Sequence, residues 1–381
     1  MKINAKKISI NEFLNRNKPF SLVINSLLSL FFSFIRIIRK TYSNIDGSIA
    51  IISLHRLGDT IFTIPAIMEI QKFYGDKIHI ICFPESVQIY NLAISDVDFC
   101  IIGREDFSLQ GRMASRKARS KLKSLNPGII IDITGSMISA SLIFNSRARK
   151  IIGINGNQFK SIYDKFVEFR KRPQLKDIYL DAISPVIPIL NRDELTKRQS
   201  ISKSNGRIII HPFAGWREKE WNLKKYICLT EKIKKNYSVS LVVSGGELSI
   251  DVVEEIKYLD LDLIQTNSVE ELIQNIKDCS MFIGNDSGPV NIANFLGKPT
   301  FTIYGSTNPE YTASSDEHQT YIQKILNCSA GQNEKCCIIG GAVYSCSGTQ
   351  CMNFLTVEEV YDNLIPKLKK YCQIEETISR R

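Results

Sequence analysis

Three places in the chain run an apolar strand straight into a turn of small, polar and charged residues, and such turns can hold reactive groups against a ligand. The most specific is Phe282-Ile283-Gly284-Asn285-Asp286-Ser287-Gly288-Pro289. It predicts a buried strand to Gly284, an N-cap at Asp286 or Ser287, and an early helical Pro289 whose missing N–H is no loss there. A helix opened this way aims free N–H groups and the positive end of its dipole past the strand's C-terminal edge. An anion fits such a seat, and a diphosphate fits it well. Gly288 would let backbone approach closely. The second place is Ala50-Ile51-Ile52-Ser53-Leu54-His55-Arg56-Leu57-Gly58-Asp59-Thr60, and the third is Ile208-Ile209-Ile210-His211-Pro212-Phe213-Ala214-Gly215-Trp216, followed by Lys219-Glu220-Trp221-Asn222.

Turns of this kind need sheets to carry them. From Ile49 the pattern alternates strand and helix, with strands expected at Ile49–Leu54, Ile78–Phe83, Phe99–Ile102, Ile129–Ile133 and Ile151–Ile154, and helices beginning near Thr60 and Ala114. After a polar stretch, Leu195–Gly206, it restarts with strands at Arg207–His211, Ser240–Ser244, Leu261–Gln265, Met281–Gly284 and Thr300–Tyr304. Between these lie helical patterns at Leu223–Asn236, Asp251–Leu259, Val269–Asp278 and Val290–Leu296. This order calls for parallel sheets with helices on both faces, hence an α/β chain of two doubly wound, Rossmann-like halves facing a ligand cleft. The expected division is a terminal segment at 1–45, an N-terminal half at 46–195, a C-terminal half at 206–325, and a cysteine-rich segment with a closing helix at 326–381.

Four motifs, in this order, carry a family likeness: Arg56-Leu57-Gly58-Asp59-Thr60 with Pro65-Ala66, then Lys219-Glu220-Trp221, Asn285-Asp286-Ser287-Gly288-Pro289, and Tyr304-Gly305-Ser306-Thr307-Asn308-Pro309. Together they resemble the glycosyltransferase family that includes the bacterial ADP-heptose:lipopolysaccharide heptosyltransferases. The resemblance implies a GT-B fold and an inverting, metal-independent transfer of heptose from an ADP-sugar to a lipopolysaccharide core acceptor. Glycosyl transfer needs a base for the acceptor hydroxyl, an anomeric carbon held in line and relief of charge on a departing diphosphate. The resemblance makes Asp59 the general base, where the residue types alone allow a helix N-cap. It makes Lys219 the phosphate cation, where the run Arg217-Glu218-Lys219-Glu220 alone allows a solvated charge. Asp286, Ser287 and Gly288 supply the diphosphate seat, with the Asp286 carboxylate orienting backbone N–H groups or a sugar hydroxyl. Trp221 is expected to pack under its loop. Gly245, Gly246 and Glu247, closing a strand, are expected against the nucleotide, with Glu247 on the ribose. Asn291 stands where the family commonly has a histidine. Two other readings stay open: a relative using another nucleotide sugar, and a binding module that keeps the cleft without turnover.

The formal net charge is +10 over 381 residues. With no zinc-finger spacing and no basic-aromatic ribonucleoprotein motif, nucleic acid is not the expected partner. An anionic glycolipid acceptor and a membrane surface fit the charge better. Phe20–Ile35 is apolar with a polar stripe at Ser21, Asn25, Ser29 and Ser33, and is followed by Arg36, Arg39 and Lys40. It is short for a span and reads either as an interfacial anchor or as a helix packed on the protein's own surface. Arg112–Lys123 includes Arg112, Arg116 and Lys117 without an acidic residue; with Arg56 these are candidate contacts to the acceptor or membrane. Cys328, Cys336, Cys337, Cys346 and Cys351 lack a paired Cys-x-x-Cys, so no metal site is expected, and no cofactor. A cytoplasmic protein, peripheral on the inner face of the bacterial inner membrane, is the expected setting.

Overall fold

A computed structural model of the chain describes residues 18–41, 48–75, 77–108, 113–155, 159–168, 174–188, 206–313, 316–331, 336–337 and 349–372. Helix α1 (Lys18–Thr41) comes first. The N-terminal half then runs β1 (Ile49–Ser53), α2 (Leu57–Tyr74), β2 (Ile78–Cys82), α3 (Pro84–Tyr90), β3 (Asp98–Ile101), a small hairpin of β4 (Phe107–Ser108) and β5 (Met113–Ala114), α4 (Arg116–Ser124), β6 (Ile129–Asp132), α5 (Met137–Ile143), β7 (Lys150–Asn155), β8 (Lys165–Glu168) and α6 (Leu175–Ile183). The C-terminal half runs β9 (Ile208–His211), α7 (Leu223–Lys234), β10 (Val239–Ser244), α8 (Ile250–Tyr258), β11 (Asp262–Thr266), α9 (Val269–Asp278), β12 (Met281–Asn285), α10 (Gly288–Phe295), β13 (Thr300–Tyr304), β14 (Gln319–Gln323), α11 (Gln350–Phe354) and α12 (Val357–Tyr371).

Both large sheets are parallel and have the same plan, β3-β2-β1-β6-β7-β8 and β11-β10-β9-β12-β13-β14. The order reverses beside β1 in one and beside β9 in the other, and such switch points open a crevice at the strands' C-terminal ends. Central strands such as Ile49-Ala50-Ile51-Ile52-Ser53 are buried throughout, as expected for a sheet covered on both faces. The expected strands all form, shifted by a residue or so at their ends. Helix α2 begins at Leu57, three residues before the expected start, with Arg56 at the N-cap. The expected linker falls, apart from Gly206, outside the described residues, as does Cys346.

The two halves share one apolar core. Ile61, Ile64 and Ile67 of α2 belong to the same buried cluster as Val290, Ile292 and Ala293 of α10. Where these helices open, a Cβ on Gly58 would lie 3.1 Å from the Gly288 Cα, and one on Gly288 would lie 3.1 Å from the Gly58 nitrogen. Backbone therefore meets backbone at the cleft floor, and the close approach that Gly288 makes is to Gly58. In the C-terminal half, α12 starts with a reciprocal cap: Thr356 Oγ1 accepts from Glu359 N and Glu359 Oε2 accepts from Thr356 N. Its Val360, Leu364 and Leu368 then close the second core.

Candidate active site

A cleft of about 610 Å³ lies between the halves, and residues from the ends of β1, β9, β10 and β12 line it. From the N-terminal half come Arg56, Leu57, Gly58 and Asp59. Asp59 sits in the first turn of α2 and is half-buried. Among the described residues its carboxylate has no hydrogen-bond or ion-pair partner, so its oxygens remain available to a hydroxyl. Tyr179 on α6 is close enough to feel its charge: the phenol is pushed well up, first by burial and then by Asp59.

The facing wall comes from the C-terminal half. Lys219, in the 3-10 turn Arg217–Lys219, donates from Nζ to Asp286 Oδ2 at 2.7 Å and to the Asp286 carbonyl at 3.3 Å. The same Oδ2 accepts from Thr307 Oγ1 at 2.8 Å, and Oδ1 accepts from Thr312 Oγ1 at 3.2 Å. The role expected from sequence is to orient backbone N–H groups or a sugar hydroxyl; among the described residues Asp286 instead fixes an ammonium and accepts from two threonines. The physical reason is burial: at 4 % exposure an ionised carboxylate is stable only when paired and hydrogen-bonded. Trp216 flanks the same ammonium, with Lys219 Nζ 5.0 Å from its ring centroid.

Ser287 is the N-cap of α10, yet its hydroxyl makes no cap bond, and Oγ is buried without a partner. The first-turn N–H groups of α10 have no intrahelical acceptor either. A positive helix end, a residue with an unengaged hydroxyl and a lysine therefore line the same cleft, a combination that suits a phosphate. Asn285, just below, is structural: Oδ1 accepts from Trp221 N and Tyr226 Oη, both at 3.0 Å, and Nδ2 donates to the Pro212 carbonyl at 2.6 Å. Trp221 packs under the loop as expected, buried and donating to the Leu355 carbonyl.

Farther along the cleft, Glu247 Oε2 accepts from Ser244 N at 2.8 Å, and desolvation, ahead of other causes, pushes its carboxyl up. Gly245 lines the cleft, where a Cβ would come within 2.7 Å of Asn267 Oδ1. Gly246 does not line it and instead makes the turn with φ +85°. His211, at the end of β9, is buried and held neutral, its imidazole pushed down to about 4 by burial. Asn291 also lines the cleft. Arg116 and Lys117 are exposed on α4, away from it, and Arg112 lies outside the described residues. Sequence reasoning missed Thr307, Thr312 and Trp216. The first lies inside the quoted Tyr304–Pro309 motif, but nothing in the sequence pairs it with Asp286.

The family model described as glycosyltransferase family 9 (heptosyltransferase) matches residues 115–340. The chain belongs to glycosyltransferase family 9. Among curated relatives of this family 9 chain, the lipopolysaccharide heptosyltransferase 1 of Campylobacter coli is 24% identical over 312 residues, covering 73% of this chain and 89% of the relative. The lipooligosaccharide heptosyltransferase 2 of Haemophilus influenzae is 30% identical over 114 residues, 28% of this chain and 33% of the relative. The solved E. coli ADP-heptose lps heptosyltransferase II has the same fold, with TM-score 0.61 and 16% identity over 85% of this chain and 99% of its own. E. coli heptosyltransferase WaaC, solved with ADP-2-deoxy-2-fluoro heptose, gives 0.59 and 15% over 84% and 99%. The two parallel sheets and their cleft are thus a GT-B fold, and the family 9 chain is a glycosyltransferase.

Proposed function

We propose that this enzyme moves heptose from ADP-heptose to a lipopolysaccharide core acceptor of the lipid A–Kdo type, with inversion and without a metal ion, at the inner face of the bacterial inner membrane. The observation that carries the reading is the pairing across one cleft of an unengaged carboxylate, Asp59, with an anion seat of Lys219, Ser287 and the α10 N-terminus. Asp59 removes the proton from the acceptor hydroxyl as its oxygen bonds to the anomeric carbon. The bond from that carbon to the diphosphate oxygen breaks on the opposite side, and ADP departs with the electron pair. Lys219, held on Asp286, and the helix end take up the growing charge, a role a divalent ion plays elsewhere. Glu247, which lines the cleft, accepts from ribose hydroxyls in this reading. The names of the curated relatives support the heptose and a lipopolysaccharide acceptor, and solved neighbours bind ADP or an ADP-heptose analogue.

The test is a panel of nucleotide sugars followed by thermal stabilisation and by transfer to a delipidated core oligosaccharide. ADP-heptose at a hundred times its Kd should add about 2.7 kcal/mol, and transfer should survive EDTA. Preferential stabilisation by another nucleotide sugar overturns the donor. Loss of transfer in EDTA, restored by Mg²⁺ or Mn²⁺, overturns the metal-free step.

A further inference from the structure

Helix α1 is amphipathic in the sense opposite to that of a surface helix on a soluble protein. Among its described polar residues, Ser29 and Arg36 are turned inward. Ser29 Oγ lies 2.6 Å from Ser161 Oγ, and Arg36 donates to the Tyr163 carbonyl at 3.0 Å. Between them Phe32 packs edge-on against Phe144 and Phe159, with ring centroids 6.3 Å away in each case. The outward side is apolar: Leu27, Leu30, Phe31, Phe34, Ile37 and Ile38 are 62, 69, 49, 61, 65 and 41 % exposed. At 3.6 residues per turn they occupy one arc of roughly 120°. A contiguous apolar face of this kind marks a docking surface.

What covers the face is indicated by the charges beside it. The turn carrying Ser161 also carries Lys160, and Lys165 begins the adjoining edge strand; both are exposed. Phe144, which touches Phe31 and Phe32, is also covered by the Arg119 guanidinium at 5.9 Å, so α4 abuts the same patch with Arg116 exposed one turn away. An apolar ridge flanked by exposed cations matches a bilayer interface with anionic headgroups. No described helix is long and apolar enough to cross a membrane.

We infer that α1 is a bilayer-inserting ridge locked to the N-terminal half, which with α4 and the Lys160 turn forms one surface for anionic phospholipid. The helix is not a loose tether, because its inward contacts are specific. Lipid binding would therefore fix the orientation of the half that carries Asp59. This deepens the reading above by naming the surface that meets the membrane, and its test uses no donor sugar, so either can fail alone.

The experiment is co-sedimentation of the full chain with vesicles of phosphatidylglycerol and phosphatidylcholine, or of phosphatidylcholine alone. The wild type should bind the anionic vesicles at least about tenfold better. L30S/F34S should lose about tenfold or more while keeping the wild-type unfolding midpoint. K160Q/R116Q should lose about fivefold per charge removed and show a shallower salt dependence. In a third variant, Phe34→Trp, the emission added over that of the wild type should shift blue with vesicles and be quenched by brominated lipid. Equal sedimentation of wild type and L30S/F34S overturns the inference, as does a water-like emission from the indole added by Phe34→Trp in the vesicle pellet. If light scattering shows a dimer that L30S/F34S dissociates, with vesicle binding unchanged, the face joins two copies and the lipid assignment fails.

Discussion

The two turns that face each other across the cleft are built alike and used differently. Each follows a buried central strand, each opens a helix, each contains a glycine that touches the other, and each carries an aspartate. Asp59 has no hydrogen-bond or ion-pair partner among the described residues. Asp286 is held by a lysine and two threonines. An identical side chain thus serves once as a group free to accept a proton and once as a fixed charge that aims a cation. The difference comes from burial and from partners supplied by distant parts of the chain.

The comparison breaks most visibly at the free carboxylate. An asparagine in place of Asp59 keeps size and shape but cannot take a proton. Asp59→Asn should therefore lower turnover on the order of 10²–10⁴-fold, with ADP-sugar affinity and unfolding midpoint near those of the wild type. Turnover within about tenfold of the wild type would move the base elsewhere in the cleft.

At the fixed carboxylate the pattern should reverse. Asp286→Ala leaves Lys219, Thr307 and Thr312 without their common acceptor, and should cost about 2–3 kcal/mol in urea unfolding, discounted because the Lys219 side chain is 19 % exposed. ADP-sugar affinity should fall about 10–100-fold as the ammonium loses its aim, and Lys219→Ala should match that affinity loss at a smaller cost in stability. If Asp286→Ala and Asp59→Ala destabilise equally, the contrast between a scaffold aspartate and a free one is wrong.

This contrast also shows what is legible in the sequence. The central strands are readable because a covered parallel strand is an uninterrupted apolar run, as in Ile49–Ile52 and Ile208–Ile210. The edge strands β8 and β14 are not, since their residues are only half covered and include Lys165, Glu168, Gln319 and Gln323. The early start of α2 is hidden because Arg56 caps without a side-chain bond. Helix α1 is visible in the sequence, but the direction of its polar stripe is not. A stripe of serines reads as solvent-facing until Ser161 is found opposite Ser29. Within the cleft, motifs mark Asp59, Lys219 and Asp286–Gly288. The pairing of Asp286 with Thr307 and Thr312 depends on residues 21 and 26 positions away, brought together by β13 and the turn after it.

The last effect concerns the floor beneath Asp286. His211 pairs in register with Gly284 of β12, and its Nδ1 donates to the Phe213 carbonyl at 3.2 Å, a bond that favours the charged ring but is outweighed by burial. Burial pushes its imidazole down to about 4, against an ordinary value near 6.5 in the unfolded chain. Above about pH 6.5 neither state binds the proton, and this contribution to stability is fully present. As the pH falls from about 6.5 towards 4, the unfolded chain takes up a proton that the folded one refuses, so stability declines. Below about pH 4 the loss is complete, on the order of 3 kcal/mol. An asparagine here can still donate to the Phe213 carbonyl but does not titrate. His211→Asn should therefore flatten the curve of unfolding free energy against pH between about 6.5 and 4, with other acidic groups cancelling in the comparison with wild type. Parallel curves for the two proteins would mean that His211 takes up a proton as readily in the native cleft as in the unfolded chain, and that burial does not hold it neutral.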